Sequence, residues 1–447
     1  MDIVRGLIGL AILIGIAYLF SNNKKNINWR LVLTGLGLQF IFALLILKGK
    51  ALGDFFSPLG WPKVVFGWLS YLFVLILDFT SEGAKFVFGN LGLSPENTGS
   101  LGFFFAFQVL PTIIFFASLM SVLYYLGIMQ RIVQVMAWVM AKFMGTSGAE
   151  SLSCAANIFV GQTEAPLMIK PFIKGMTKSE ILTVMTGGMA TIAGGVMASY
   201  VQMLSQSFSV TMNIPIEQAK VLFANHLLGA SFMAAPAALL LSKVLFPETK
   251  EPETKGNVKI EIERNSSNVI EAAAAGASDG LQLALNVGAM LIAFIALIAM
   301  FNYFLGIIGD FTGLNETLNA VYGQNLSLQL LFGIVLQYVA FLIGVPWDSA
   351  LQFGSLVGTK VVLNEFVAYF DMSSLIQMKT LVNEKAILMA TYALCGFANF
   401  SSIAILVGGL TPLAPERRAD FAALGLKAVL AGTLATLMTA TLAGMLF

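Results

Sequence analysis

The stretch Asn157–Phe172, "NIFVGQTEAPLMIKPF", decides how the chain is read. It sets Gln162, Thr163 and Glu164 between Gly161 and Pro166, inside a sequence that is otherwise strongly apolar. Apolar runs of ~20 residues, the length of a helix that crosses a bilayer, recur along the whole chain. An ionised carboxylate at the centre of a bilayer costs about 2.5–3.5 kcal/mol, so such a residue normally faces a cavity and has a partner. A second stretch, "GTKVVLNEFVAY" (358–369), puts Asn364 and Glu365 in a similar setting.

Composition agrees with a membrane solvent. Of 447 residues, 57% are hydrophobic and only 11% charged, against roughly 25% charged in soluble domains. The chain reads as an all-α polytopic membrane protein. A formal net charge of +1 gives no field for nucleic acid. Two cysteines, Cys154 and Cys395, both in apolar surroundings, exclude a disulfide framework and a zinc site. The one histidine, His226, reads as a packing residue rather than a proton relay. No GxxxxGK[ST] loop, HExxH pair or Ser/His/Asp set occurs, which argues against ATP as energy source and against a membrane-embedded hydrolase. Energy must then come from an ion gradient or from the solute's own gradient.

The clear spans fall at 3–21, 30–48, 101–125, 179–205, 216–246, 281–308, 384–410 and 421–446. The first lacks a small-x-small site before "SNNKKN" and reads as a retained span, not a signal peptide. Segment 64–80 is interfacial or a span. Segments 127–144 and 326–345 read as helices lying along the membrane, the first because Gln130, Arg131, Gln134 and Lys142 punctuate an apolar face. The polar stretch 248–280 reads as a loop, with at most a short surface helix, that divides the chain. Lys24, Lys25 and Arg30, then Lys170, Lys174 and Lys178, then Lys250, Lys255, Lys259 and Arg264, then Arg417 and Arg418 share one side if both termini lie on the other. Positive loops are cytoplasmic, so both termini are expected outside; Lys48, Lys50, Lys63 and Lys85 dissent.

An order of elements repeats. A span (101–125 or 281–308) leads to a flat helix, then to a stretch broken by glycine that ends in "QTEA" or "NEFV", then to two spans. Each broken stretch reads as a re-entrant hairpin, so each half crosses an odd number of times and the halves are inverted. Glu164 and Glu365, near the two tips, are expected to meet at mid-depth. Exposed backbone at such tips is tolerated only where it lines a cavity or binds something. The span after each hairpin is also loose. "TGGMATIAGGVMASY" (186–200) carries four glycines, which serve either close packing or unwinding. "CGFANFSSIAILVGG" (395–409) places Asn399 and Ser402 three apart. Asp348, after "GVPW", is a helix cap or a pocket residue.

These residues carry a resemblance. "NIFVGQTEAPLMIKPF", "GGMATIAGGVMASY" (187–200), "GTKVVLNEFVAY" and "ALCGFANFSSIAI" (393–405) resemble signature stretches of the concentrative nucleoside transporters, and the likeness covers nearly the whole chain. Without the extra N-terminal helices of animal members, it resembles a bacterial one. The resemblance implies about eight transmembrane helices plus two re-entrant hairpins in an inverted repeat. Residues 1–125 and 281–325 would supply scaffold spans and an outer loop, 126–247 and 326–447 the two halves of a transport domain, and 248–280 a cytoplasmic loop. It implies a base held by Gln162, Thr163, Glu164 and Val196, with Phe397 against the ring, and a ribose held by Glu365, Asn399 and Ser402. Carboxylates accept from sugar hydroxyls and amides read base edges. It implies a sodium site of Asn157, Val160, Thr191 and Ile192; the family more often has Ser at the Thr191 position, and Thr keeps the oxygen. It also implies a symporter of sodium and nucleoside, a homotrimer, an elevator-type movement, and residence among the lipids of a bacterial inner membrane. Proton coupling is the alternative within the family. A passive channel is the alternative outside it, and would need a continuous polar stripe that these spans lack.

Overall fold

A computed structural model describes residues 2–95, 97–256 and 266–447. It is 81% helical, and among the described residues the only extended pairing is a single bridge between Ser147 and Lys255. Four helices open the chain: α1 (Asp2–Leu19), α2 (Trp29–Leu47), α3 (Gly49–Phe55) and α4 (Ser57–Phe88). A π-helical turn, Phe105–Val109, leads into α5 (Leu110–Tyr125), and Pro111 suits that first turn because its missing N–H had no helical partner to lose. Then follow α6 (Ile128–Met144), α7 (Gly148–Ala156), the non-helical tip 157–164, a 3-10 turn Ala165–Ile169, α8 (Lys170–Ile173), α9 (Lys178–Ala190), α10 (Gly194–Met212) and α11 (Ile216–Leu245). The second half has α12 (Val269–Thr312), α13 (Leu314–Tyr322), α14 (Leu328–Leu342), α15 (Trp347–Val362), α16 (Glu365–Gln377), α17 (Glu384–Leu394), α18 (Phe400–Leu410) and α19 (Arg418–Met445).

The repeated order is present. In the first half α7 packs on the turn at 165–169; in the second α15 packs on α16. Each hairpin is followed by a helix cut in two. The first cut, Thr191–Ala193, separates α9 from α10, and the second, Cys395–Asn399, separates α17 from α18. The two cuts touch. Gly396 has φ +158°, and a Cβ there would lie 2.8 Å from the Met189 carbonyl oxygen, so only glycine fits.

Several sequence expectations change. Residues 269–280, read as part of a loop, belong to α12, because Asn268 caps it by accepting from Glu271 N at 2.9 Å. Lys259 and Arg264 lie outside the described residues. The outer loop expected at 309–325 is mostly the end of α12 and all of α13. Segment 64–80 is the middle of a 32-residue helix, α4, long and apolar enough to span. Spans 179–205 and 384–410 are each two helices. Asp348 is not the cap of α15; Pro346 holds that position, and Asp348 accepts from the Ser349 hydroxyl in the first turn.

Burial divides the helices into two sets. Only 28% of the apolar window of α1, 33% of α2, 28% of the helix beginning at Ser57, 28% of α5 and 17% of α12 is covered by protein. For α9–α10 the share is 89%, for α11 94% and for α19 67%. The core therefore sits around the cut helices. α5 and α12 pack chiefly on each other, while α1 and α2, expected to be scaffold, pack on α11 and α19.

Candidate functional site

The site forms where the hairpin tips meet the two cuts. Asn364 caps α16 by accepting from Val367 N at 2.9 Å, which fixes Glu365 as the first residue of that helix. Glu365 is 4% exposed. Its Oε1 accepts from the Tyr200 hydroxyl at 3.1 Å, and its Oε2 from Asn399 Nδ2 at 3.0 Å. Asn399 is the cap of α18: its Oδ1 accepts from Ser402 N at 2.9 Å and from the Ser401 hydroxyl at 2.7 Å. Ser402 Oγ accepts from Gln162 Nε2, on the other hairpin, at 3.3 Å. A continuous polar path thus runs from the first tip, through the second cut, to the second tip and α10. Gln162 Oε1 is buried and has no hydrogen-bond partner, so an acceptor remains free for a ligand.

The remaining candidates have distinct surroundings. Val196 is buried one turn before Tyr200 on α10. Phe397 lies half-buried within the second cut. Thr163 turns its methyl group toward Gly409 of α18, where a Cβ would come within 2.8 Å of it. The two carboxylates do not share one environment. Glu365 is enclosed and held by the Tyr200 and Asn399 side chains, whereas Glu164 is exposed and its carboxylate lies against the Gly161 backbone. The halves are joined through Gln162 and Ser402 rather than acid to acid.

The four residues named for sodium converge on the first cut. Asn157 is fully buried; its Nδ2 donates to the Ser153 carbonyl at 2.9 Å and its Oδ1 has no partner. It lies over Gly187 and Gly188, one turn before the cut. Gly188 is helical and in close contact, since a Cβ there would be 2.8 Å from Gln162 Cβ. Packing thus explains these two glycines, and the unwinding falls after them. Thr191 donates its hydroxyl to the Gly187 carbonyl at 2.9 Å, which leaves its oxygen lone pairs free. Val160 and Ile192 lie in non-helical backbone, where carbonyls are not committed to a helix. An orphaned amide oxygen, a hydroxyl and loose carbonyls form an all-oxygen set, the donors preferred by a hard cation. The residues present fit sodium.

Three site residues escaped the sequence reading. Tyr200 stands four residues after Val196, on the same helical face, and that spacing could have found it. Ser401 and Lys360 carried no such signal. Lys360 is fully buried and donates to the Ala393 carbonyl at 2.8 Å and to Thr436 Oγ1 at 3.1 Å. His226 is half-buried with Nδ1 3.3 Å from the Tyr392 hydroxyl, as a packing residue would be.

Comparison with known proteins adds three findings. Family models described as "Na+ dependent nucleoside transporter N-terminus", "Nucleoside recognition" and "Na+ dependent nucleoside transporter C-terminus" match residues 8–91, 106–207 and 226–444. The chain is 47% identical to an uncharacterized transporter, YutK, of Bacillus subtilis, over the full length of both. It is 41% identical to the nucleoside permease NupC of Helicobacter pylori, covering 98% of this chain and 96% of that one. It is 39% identical to the mouse sodium/nucleoside cotransporter 1, covering 98% of this chain but 63% of that longer one. Among solved structures, CNTnw in an inward-facing substrate-bound state superposes with a TM-score of 0.85 at 43% identity, over 100% of this chain and 98% of the other.

Proposed function

The chain belongs to the concentrative nucleoside transporter family, a family of transporters and not of enzymes, and from that premise we propose that it is a symporter that imports nucleosides with sodium. The observation that carries the reading is the polar path Gln162–Ser402–Asn399–Glu365–Tyr200, which joins both halves of the repeat across the buried interior. A nucleoside has two faces to satisfy. Glu365, Asn399 and Ser402 offer acceptors and donors to ribose hydroxyls. Gln162, with its free Oε1, and Glu164 read the base edge, while Val196 and Phe397 pack on the ring. Thr163 positions the first tip against α18. Sodium sits among Asn157, Val160, Thr191 and Ile192, directly behind Gln162, so filling the cation site steadies the tip that reads the base.

Each hairpin enters and leaves on the same side of a bacterial inner membrane, the two from opposite sides, with both termini outside. Packing supports α5 and α12 as the fixed frame of an elevator, with α1 and α2 carried on α11 and α19 as part of the moving body. The sparsely covered faces of α5 and α12 are where lipid or the other copies of a homotrimer would lie.

The test is uptake of a nucleoside panel into liposomes holding the purified protein, with sodium and pH gradients varied separately. Accumulation above equilibrium that needs an inward sodium gradient is expected. Equal uptake with and without that gradient would remove sodium from the account, and uptake that never exceeds equilibrium would favour a channel.

A further inference from the structure

Each half of the chain presents the same mechanical problem: a helix cut in mid-course, whose last carbonyls have lost their helical partners and carry the negative end of the helix dipole. The two halves solve it with different groups. In the first, Asn157, the residue after α7, lies over the end of α9 with its Oδ1 unpartnered, and the Gly187 carbonyl is met by the Thr191 hydroxyl. Asn157 Nδ2 is spent on the Ser153 carbonyl, which leaves acceptors there for a cation from outside. In the second, Lys360, in the last turn of α15, reaches the end of α17 and donates to the Ala393 carbonyl. The ammonium is itself the cation.

The charges follow the same division. Glu365 and Lys360 are both buried in the second hairpin, so that hairpin carries an acid and a base within one chain. A buried charge is expensive unless it is paired and hydrogen-bonded. At the second cut the chain supplies its own cation, and at the first it supplies only oxygens.

We infer that Lys360 is a tethered cation that fills, in the second half, the place the coupling cation takes in the first, so that one mobile cation rather than two accompanies each substrate. The inference rests on the sodium site proposed above. It makes Lys360 a positioning residue: it closes the second cut permanently, so Asn399 and Ser402 are held ready, while the first cut is closed only when the ion arrives.

The experiment measures nucleoside uptake into liposomes as a function of sodium for the unaltered protein, Lys360→Ala and Lys360→Arg. For the unaltered protein the dependence should be hyperbolic, with a Hill slope of about one. Lys360→Ala opens room beside the Ala393 carbonyl, so its curve should become sigmoidal with a slope of about two and a half-saturation raised about tenfold. Lys360→Arg keeps the charge and should keep the slope near that of the unaltered protein. A folded Lys360→Ala protein with an unchanged slope and half-saturation overturns the inference, as does a Lys360→Arg protein that needs a second sodium. Should Lys360→Ala not fold, the sodium-to-nucleoside ratio of the unaltered protein, from its reversal potential, decides alone: one supports the inference and two overturns it. Failure of the sodium reading is separately visible, because the unaltered protein would then be indifferent to sodium.

Discussion

Replacing Glu365 by Gln removes a charge and almost no volume, and the structure says where the new amide must point. Asn399 cannot turn over, because its Oδ1 is engaged by Ser402 N and the Ser401 hydroxyl, a cap that contributes about 1 kcal/mol. In Glu365→Gln the new carbonyl oxygen must therefore face Asn399 Nδ2, and the new NH2 faces Tyr200. The Tyr200 hydroxyl can rotate and accept, so the local network survives. What is lost is the carboxylate as a partner for a ligand hydroxyl. Hydrogen bonds to charged groups contribute about 1.5–3 kcal/mol and neutral ones about 0.5–1.5, so each hydroxyl held loses about 1–1.5 kcal/mol. With 1.4 kcal/mol per decade, nucleoside affinity should fall about tenfold for one ribose contact and about a hundredfold for two. Calorimetric titration of uridine into the purified protein measures this. A parallel titration with 2′,3′-dideoxyuridine should show that the variant distinguishes the two sugars less, by about the same factor, since Asn399 and Ser402 still meet the ribose. Uridine affinity within about threefold of the unaltered protein, or an undiminished preference for the ribose hydroxyls, would refute the role given to Glu365.

Asn157→Ala deletes the orphaned Oδ1 at the first cut and should raise the sodium concentration for half-maximal uptake by about tenfold or more, with a smaller effect on nucleoside affinity at saturating sodium; an unchanged sodium curve would take Asn157 out of the cation site. Lys243→Met tests stability away from the site. Lys243 pairs with Glu150 at 2.7 Å, donates to Ser179 at 3.0 Å and is itself buried. Leaving Glu150 buried without its partner should cost about 3–5 kcal/mol, seen as a lower thermal midpoint in detergent. The double variant Lys243→Met/Glu150→Gln should recover much of that loss, and a double variant no more stable than the single would point to packing rather than charge.

The fold class and the position of both hairpins were legible because they rest on local signals: apolar length, Gly161 and Pro166 around "QTE", and the recurrence of Glu after an amide or hydroxyl. The first cut lay within a glycine run that also serves packing, so sequence could not say which glycines unwind; Gly187 and Gly188 pack, and the break starts at Thr191. The start of α12 was missed because "NVIEAAAAGASDG" (268–280) is polar enough to resemble a loop, yet its alanines favour helix and Asn268 caps it. Tyr200 and Lys360 act through contacts 165 and 33 residues away in sequence, on Glu365 and the Ala393 carbonyl. Nothing in the local sequence reports such a contact. The strap at 254–255 is of the same kind: the Thr254 carbonyl and hydroxyl accept from Gly148 N at 2.9 Å and Ala149 N at 3.1 Å, tying the segment after α11 to the base of the first hairpin.

The distribution of small residues bears on which surfaces can slide. α12 meets α5 through Gly276 and Gly280, where a Cβ would lie 2.7 Å from the Ala117 carbonyl oxygen and 2.8 Å from the Ile114 Cα. Backbones this close lock two helices together, as small residues do within membranes. The contact of α5 with α10 differs. There the Phe116 side chain of α5 fills the space over Gly194, where no Cβ would fit, while at Gly195 a Cβ would stand 3.5–3.6 Å from Phe116 and Ile113. α5 therefore meets α12 at its backbone, and meets the helix that carries Val196 and Tyr200 through side chains, the Phe116 ring on Gly194 and Thr112 beside Ser199. A body whose interior holds a polar site cannot open toward lipid without exposing unpaired groups. On the elevator reading it moves whole, and the α5–α10 contact, made by side chains that can turn rather than by close backbones, is where it moves. Bulk at Gly195, which faces Ile113 and Phe116 of α5, would then slow transport more than it weakens nucleoside binding.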